Sequence, residues 1–320
     1  VESSVVSEMN RLVDEYFDVE DFNRLLKQFI LDKSGEKSVW SDLTLYCHYM
    51  LGGSSPYITK VAALTELLIL ALDITDDLQD RDNEEKSWMR CPQELALNSV
   101  IAFLFAALGE LGKIRQADPS AALPDAGRIG SYIVKSINGQ YKDLNRSIGT
   151  EEDYVAAVRE KSGSLIQFAC YMGYSCLEDC AAQIREHIDE MACCIGMAAQ
   201  IDNDVKDVQR YDVKNDLLHK KRTLPILYLL QFSEEDFPLF KQFYEGAVSR
   251  QVFLEKKREI LQYIYDSGCI EYSRVIQLLY ANRAEQLLAE IPAVSPWKEK
   301  FREITLGPFH TEQQSGESVV

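Results

Sequence analysis

Histidine is scarce in this sequence. Four histidines stand among 320 residues, and none lies in an HExxH pattern or an evident catalytic triad, so zinc-peptidase and triad-hydrolase chemistry lack their residues. Paired cysteine motifs are missing too. Cys47, Cys91, Cys170, Cys176, Cys180, Cys193, Cys194 and Cys269 form no CxxC, and most sit in apolar helical contexts. They are expected as buried free thiols in a reducing cytoplasm. Cys176 and Cys180 are four apart, but no histidine pattern completes a zinc site around them. Basic residues are the minority: 34 Lys and Arg against 51 Asp and Glu leave a net charge of −17. That balance excludes general nucleic-acid binding, which needs a basic stripe, and electrostatic docking on an anionic membrane. No internal run of about 20 uninterrupted apolar residues occurs, so no membrane span is expected. The opening stretch VESSVVSEMNRLVDEYF has neither a charged n-region nor an apolar h-region, and no signal peptide is expected there.

What remains is an ordinary globular balance, 46% apolar and 27% charged, with almost no strand signals. Helical periodicity recurs between short Gly, Pro, Ser and Asp breaks. It predicts a helix or helix pair over Ser7–Leu31, then helices over Ser38–Leu51 and Thr59–Asp80. The last shows little polar face and is expected at the centre of a bundle. Arg81–Arg90 reads as a charged connector and Asp118–Asp125 as a loop. Further helices are expected at Glu94–Leu111, Ile129–Ile148, Glu151–Met172, Cys180–Val208, from Leu224, and at Glu234–Tyr244, Val252–Ser267 and Ile270–Ile291. The fold class is therefore all-α: one large bundle with a central cavity over residues 1–306, followed by a polar tail, 307–320, expected to fray.

Two places in this pattern carry chemistry. Leu67–Asp80 is an apolar run ending in Asp76, Asp77 and Asp80. Residues three and four apart share a helix face, so these carboxylates crowd one groove and repel one another unless a cation sits among them. Oxygen-only ligation of this kind suits Mg²⁺. Alone, the motif is equally a solvated acidic helix end. Its echo is QIDNDVKD, where Asn203, Asp204 and Asp207 repeat the spacing, with Asp202 beside them. Two such ends facing each other across a cavity would hold metals that stabilise a diphosphate leaving group. Candidate bases lie at Lys161 in KSGSL, Lys221 in KRTLP, and Lys86 and Arg90 after the first motif. Each by itself is more ordinarily a surface cation.

The order DDxxD, KSG, NDxxD, KRTLP resembles the trans-isoprenyl diphosphate synthases over roughly residues 35–230. The resemblance implies that Asp76, Asp77 and Asp80 form the first metal motif and Asn203, Asp204 and Asp207 the second. It also implies that Lys161 and Lys221 contact diphosphate and that Gln200 is the glutamine preceding the second motif. An allylic isoprenyl diphosphate would then ionise with Mg²⁺ into a dry apolar pocket.

The departures narrow the reading. Chain-elongating members bind isopentenyl diphosphate with GGKRxRP. Here that place reads Gly35, Glu36, Lys37, Ser38, Val39, Trp40 and Ser41; Lys37 survives and the arginines do not. The histidine expected three residues after Glu66 is Ile69, and the RRG after the first motif becomes Glu85, Lys86 and Ser87. The runs TELLILALDITDDLQDRDNEEKSWM and KSGSLI are similar to the ComQ branch, which prenylates a tryptophan of a quorum-sensing (competence) pheromone precursor of the ComX type. By that resemblance the acceptor is an indole, an uncharged nucleophile that needs no arginine cluster. Ala71 and Leu72 stand where bulky side chains stop the prenyl tail in the synthases; Ala71 offers room for a farnesyl or longer tail as easily as geranyl, and Phe103 and Phe105, ordinarily core residues, are the alternative walls. The alternatives are a short-chain synthase, a terpene cyclase (its NDxxSxxxE would fall on Asp207 and Tyr211), and an inactive scaffold. Members of the superfamily are commonly homodimers, and the Glu94–Leu111 helix is a candidate interface.

Overall fold

The computed structural model describes every residue except Lys37, Asp82, 211–215 and 310–320. Among the described residues there is no strand, in keeping with the all-α expectation. The chain forms two compact units. The first comprises Val1–Gly130, Gln167–Asp189 and the chain from Ile291; the second comprises Ser131–Ile166 and Glu190–Glu290.

In the first unit the expected N-terminal helix is a pair, α1 (Ser3–Tyr16) and α2 (Glu20–Ser34), followed by α3 (Trp40–Met50) and α4 (Ile58–Asp80). The charged connector contains one turn of helix, α5 (Ser87–Arg90), and α6 runs over Gln93–Ala117. Helix α4 is the centre of this unit, packed by α1, α3 and α6. Its composition dictates that place: Val61–Ala71 is buried without a break, including Thr65 and Glu66. A helix apolar all round has no face to give to water.

Helix α6 is long and apolar enough by composition alone to cross a membrane, a test that core helices of soluble folds also pass. It buries Phe103 and Ala107 and exposes a stripe of Leu97, Ile101, Phe105 and Leu108. A short C-terminal helix that periodicity did not flag, α16 (Trp297–Thr305), closes the unit; its Trp297 ring lies 4.7 Å from that of Tyr49. Phe309 beyond it is buried, and the remainder of the expected polar tail lies outside the described residues.

The residue ranges of the two units divide three helices, α7 (Ala126–Leu144), α9 (Ser164–Tyr174) and α10 (Ala182–Gln209). The second unit also holds α8 (Glu151–Val158), α11 (Leu224–Asp236), α12 (Pro238–Glu245), α13 (Arg250–Glu255), α14 (Lys257–Asp266) and α15 (Cys269–Glu290). Thr150 and Asp153 start α8 with a reciprocal capping box, which satisfies two backbone N–H groups otherwise left open at a helix start. The expected continuous helix Glu151–Met172 is instead broken by a π turn at Arg159–Gly163. Two glycines permit that turn. A Cβ on Gly139 would lie 2.4 Å from Lys161 N, and one on Gly196 2.6 Å from Ser162 O.

Candidate active site

Helix α4 ends in four acids, Asp73, Asp76, Asp77 and Asp80. Carboxylates are disfavoured at a helix C-terminus, where the helix dipole is negative, so this end is poised for cations. Asp77 is nearly buried and turned inward: it accepts from Trp88 Nε1 at 2.7 Å and Asn83 Nδ2 at 2.6 Å. Asp76 and Asp80, one turn apart, are half-buried. A recess of about 290 Å³ opens here, lined by Lys33, Glu36, Asp73, Asp76, Asp77, Asn83, Lys86 and Trp88.

Lys33 is buried and paired with Asp73, with Glu36 3.7 Å away. Burial opposes its cation, but Asp73, Glu66 and Glu36 outweigh that and hold its pKa above the ordinary lysine value. Burial pushes the Asp73 carboxyl up to about 6 despite Lys33. Lys86 pairs with Glu36 and lies 5.4 Å from the Trp88 ring centroid.

The second motif, on α10, repeats the layout. Asp204 is buried and braced from two sides, by Tyr154 O–H at 2.6 Å and Gln200 Nε2 at 2.8 Å. Ser162 O–H in turn donates to Gln200 Oε1 at 2.7 Å, tying the π turn to the motif. Asn203 is exposed and Asp207 half-buried, one turn apart on the outer face. In both motifs, then, the middle acid is held by an aromatic N–H or O–H and an amide, while the outer pair faces away.

Lys161 Nζ stands 3.5 Å from Asp143 and Lys221 Nζ 3.6 Å from Asp216. Burial raises Asp204 to about 6 against its hydrogen-bond donors. Burial raises Asp216 to about 7, with Lys221 opposing and Asp204, Asp207 and Asp143 adding to the rise. Asp202 faces elsewhere, paired with Lys206 and Arg274.

The remaining candidates separate. Lys86 joins the recess, whereas Arg90 is exposed and donates to Glu84 O at 3.2 Å. Lys37 lies outside the described residues. Ala71 is buried and Leu72 half-buried on α4. Phe103 is buried, but Phe105 is 69% exposed, so it is no pocket wall. Two residues apart on a helix is a turn of roughly 200°, which sends the second ring to the opposite side. Where elongating synthases keep arginine, Ser38 O–H donates to Glu66, whose carboxylate also accepts Ser41 N–H at 2.9 Å. Glu66 is thus committed inward beside the buried Ile69.

Residues that the sequence reading missed are Lys33, Glu36, Asp73, Asn83 and Trp88 at the first motif, and Asp143, Tyr154 and Asp216 at the second. Asp73 carried a signal, since it lies three and four residues before Asp76 and Asp77.

The donors at both motifs are carboxylate and amide oxygens, a hard set suited to Mg²⁺. Among the described residues no three His, Cys, Asp or Glu side chains converge closely enough to hold a metal by themselves. All eight cysteines are free thiols, six of them buried.

The profile of the polyprenyl synthetase family matches residues 25–264. The tryptophan prenyltransferase ComQ of Bacillus spizizenii is 27% identical over 258 residues, 80% of this chain and 89% of its own length. That of Bacillus subtilis subsp. natto (strain BEST195) is 28% identical over 305 residues, 94% of this chain and 87% of its own length. A geranylgeranyl pyrophosphate synthase crystal structure superposes with a TM-score of 0.80 at 16% identity, covering 96% of both chains. With its two acidic helix ends placed as described, this chain belongs to the polyprenyl synthetase family.

Proposed function

We propose that this protein is a Mg²⁺-dependent prenyltransferase that moves a geranyl or farnesyl group from its allylic diphosphate to a tryptophan of a ComX-like precursor peptide. The observation that carries the reading is a combination: both acidic helix ends are retained, while the arginines of GGKRxRP are replaced by Ser38 and Trp40. The relatives named tryptophan prenyltransferases, similar over most of the chain, support the same acceptor.

In this reading Asp76 and Asp80, with Asn203 and Asp207, are the metal ligands. Asp77 and Asp204 complete the set or brace it through Trp88 and Tyr154. When bound, Mg²⁺ neutralises the diphosphate and makes it a better leaving group. Lys161, Lys221 and Gln200 hold the diphosphate oxygens, and Lys86 supplies further positive charge beside the first motif; Lys37 and Arg90 stay substrate-binding candidates on the resemblance alone. Ala71 and Leu72 leave space for the tail. The allylic C–O bond breaks with its electron pair going to diphosphate, indole C3 supplies the pair for the new C–C bond, and the resulting indoleninium cation becomes neutral by losing its N1 proton to solvent. The cytoplasm is the proposed compartment. The exposed α6 stripe Leu97, Ile101, Phe105 and Leu108 suits a second copy of the chain, so a homodimer is proposed.

A second reading, chain elongation with isopentenyl diphosphate, is favoured by the two lysines in the α4 recess, Lys33 and Lys86. Against it, both carry carboxylate partners. Calorimetry with a non-ionising allylic diphosphate analogue tests the enzyme readings together. Binding that requires Mg²⁺ is expected; equal or absent binding with and without Mg²⁺ would leave only an inert scaffold.

A further inference from the structure

We infer that Glu36 and Asp73 set acceptor specificity by occupying the two lysines of the α4 recess, closing it to an anionic acceptor and leaving it to an uncharged one. The inference rests on the prenyltransferase reading above and adds the residues that choose the acceptor.

The lysines are the recess's resource for binding an anion. Lys33 is 5% exposed, and a buried ammonium is retained only where an anion compensates it. Asp73 supplies that anion by direct contact, and Glu36 adds a second at 3.7 Å. Lys86, whose side chain is 17% exposed, is held by the other oxygen of Glu36. Glu36 therefore bridges the two lysines, and Asp73 takes the deeper one. The lining sets two lysines against four carboxylates, Glu36, Asp73, Asp76 and Asp77.

Asp76 and Asp77 belong to the motif assigned to metal. Glu36 and Asp73 have no such assignment, and their positions on the lysines are those an incoming phosphate oxygen would take. An anion entering without metal would have to displace a carboxylate from each ammonium while facing the others at short range. With Lys33 nearly buried, that repulsion is only partly screened in a recess of about 290 Å³. A neutral ring meets no such opposition. The recess wall already includes one indole, Trp88, whose face lies beneath the Lys86 ammonium.

Titration of wild type, Glu36→Gln and Glu36→Gln/Asp73→Asn with inorganic pyrophosphate in EDTA, followed by calorimetry, tests this. Metal and allylic substrate are absent, so the result stands whether or not the protein transfers a prenyl group; failure of the function itself would appear as lost Mg²⁺-dependent analogue binding. The double variant is expected to bind pyrophosphate at least tenfold more tightly than wild type, with Glu36→Gln between them. Adding Lys33→Met to the double variant should remove most of the gain. Because Glu36 is half-exposed, its single variant reads the effect even if Asp73→Asn unfolds the helix end. Unchanged affinity in Glu36→Gln with wild-type circular dichroism would overturn the inference, as would a gain that survives Lys33→Met.

Discussion

The same one-methyl substitution is expected to have opposite effects at two glycines. Inside a helix, Gly→Ala stabilises by about 0.5–1 kcal/mol, because alanine loses less backbone entropy. At Gly112, exposed in α6, nothing lies within 4 Å of the added Cβ, so Gly112→Ala should show that gain in full. At Gly196 the methyl would sit 2.6 Å from Ser162 O and 2.8 Å from Gly163 Cα. Both are backbone atoms of the π turn and cannot rotate away. Relieving contact at the usual carbon separation requires a backbone shift on the order of 1 Å, and overpacking of this kind costs about 1–3 kcal/mol. The clash outweighs the propensity gain, and Gly196→Ala should be destabilised by roughly 1–2 kcal/mol. Urea unfolding followed by far-UV circular dichroism reads both variants. Because the π turn carries Lys161, Gly196→Ala should also weaken Mg²⁺-dependent binding of the allylic diphosphate analogue, while Gly112→Ala should not. A Gly196→Ala protein as stable as wild type would refute the argument that close approach of α10 fixes the turn.

Asp204 holds its proton in the fold up to about pH 6, whereas the unfolded chain releases it near the ordinary carboxylate value. Its contribution to stability therefore falls as pH rises between those values. Tyr154→Phe removes a donor that favours the ionised form, so that fall should extend above pH 6. The variant's deficit should grow by ~1–2 kcal/mol between acid and neutral pH; equal deficits in urea unfolding at both would contradict the role given to the tyrosine. Trp88→Phe keeps a ring to pack on Phe29, now 5.8 Å away edge-on, but deletes the N–H on Asp77. The Mg²⁺ concentration needed for half-maximal analogue binding should rise about 10–100-fold, and an unchanged requirement would count against bracing. Asp76→Ala or Asp80→Ala should abolish Mg²⁺-dependent binding with helical content intact. Asn203→Ala should cost less, since an amide oxygen brings less charge; titration of the three variants with Mg²⁺ gives the order.

The parts legible in the sequence are those that local patterning determines. The apolar run of α4 forecast a central helix, and the structure starts it at Ile58, one residue from the expected Thr59. The acid spacing forecast which residues end α4 and α10 together. What escaped was tertiary. Tyr154 meets Asp204 across 50 residues, and Lys33 meets Asp73 across 40; no periodicity connects such pairs. The π turn escaped because its cause lies in Gly139 and Gly196, on other helices. Phe105 was misplaced because its apolar character suggested a core position, while helix geometry put it on the exposed stripe of α6. Asp73 shares the helical spacing of Asp76 and Asp77 but lies outside the DDxxD pattern itself.

Acceptor choice separates this enzyme reading from chain elongation. The direct test is one reaction containing farnesyl or geranyl diphosphate, Mg²⁺, isopentenyl diphosphate and a tryptophan-containing precursor peptide, read by mass spectrometry of both the peptide and the diphosphates. One prenyl mass added at tryptophan and no lengthened diphosphate are expected. A lengthened diphosphate with unmodified peptide would contradict the tryptophan acceptor.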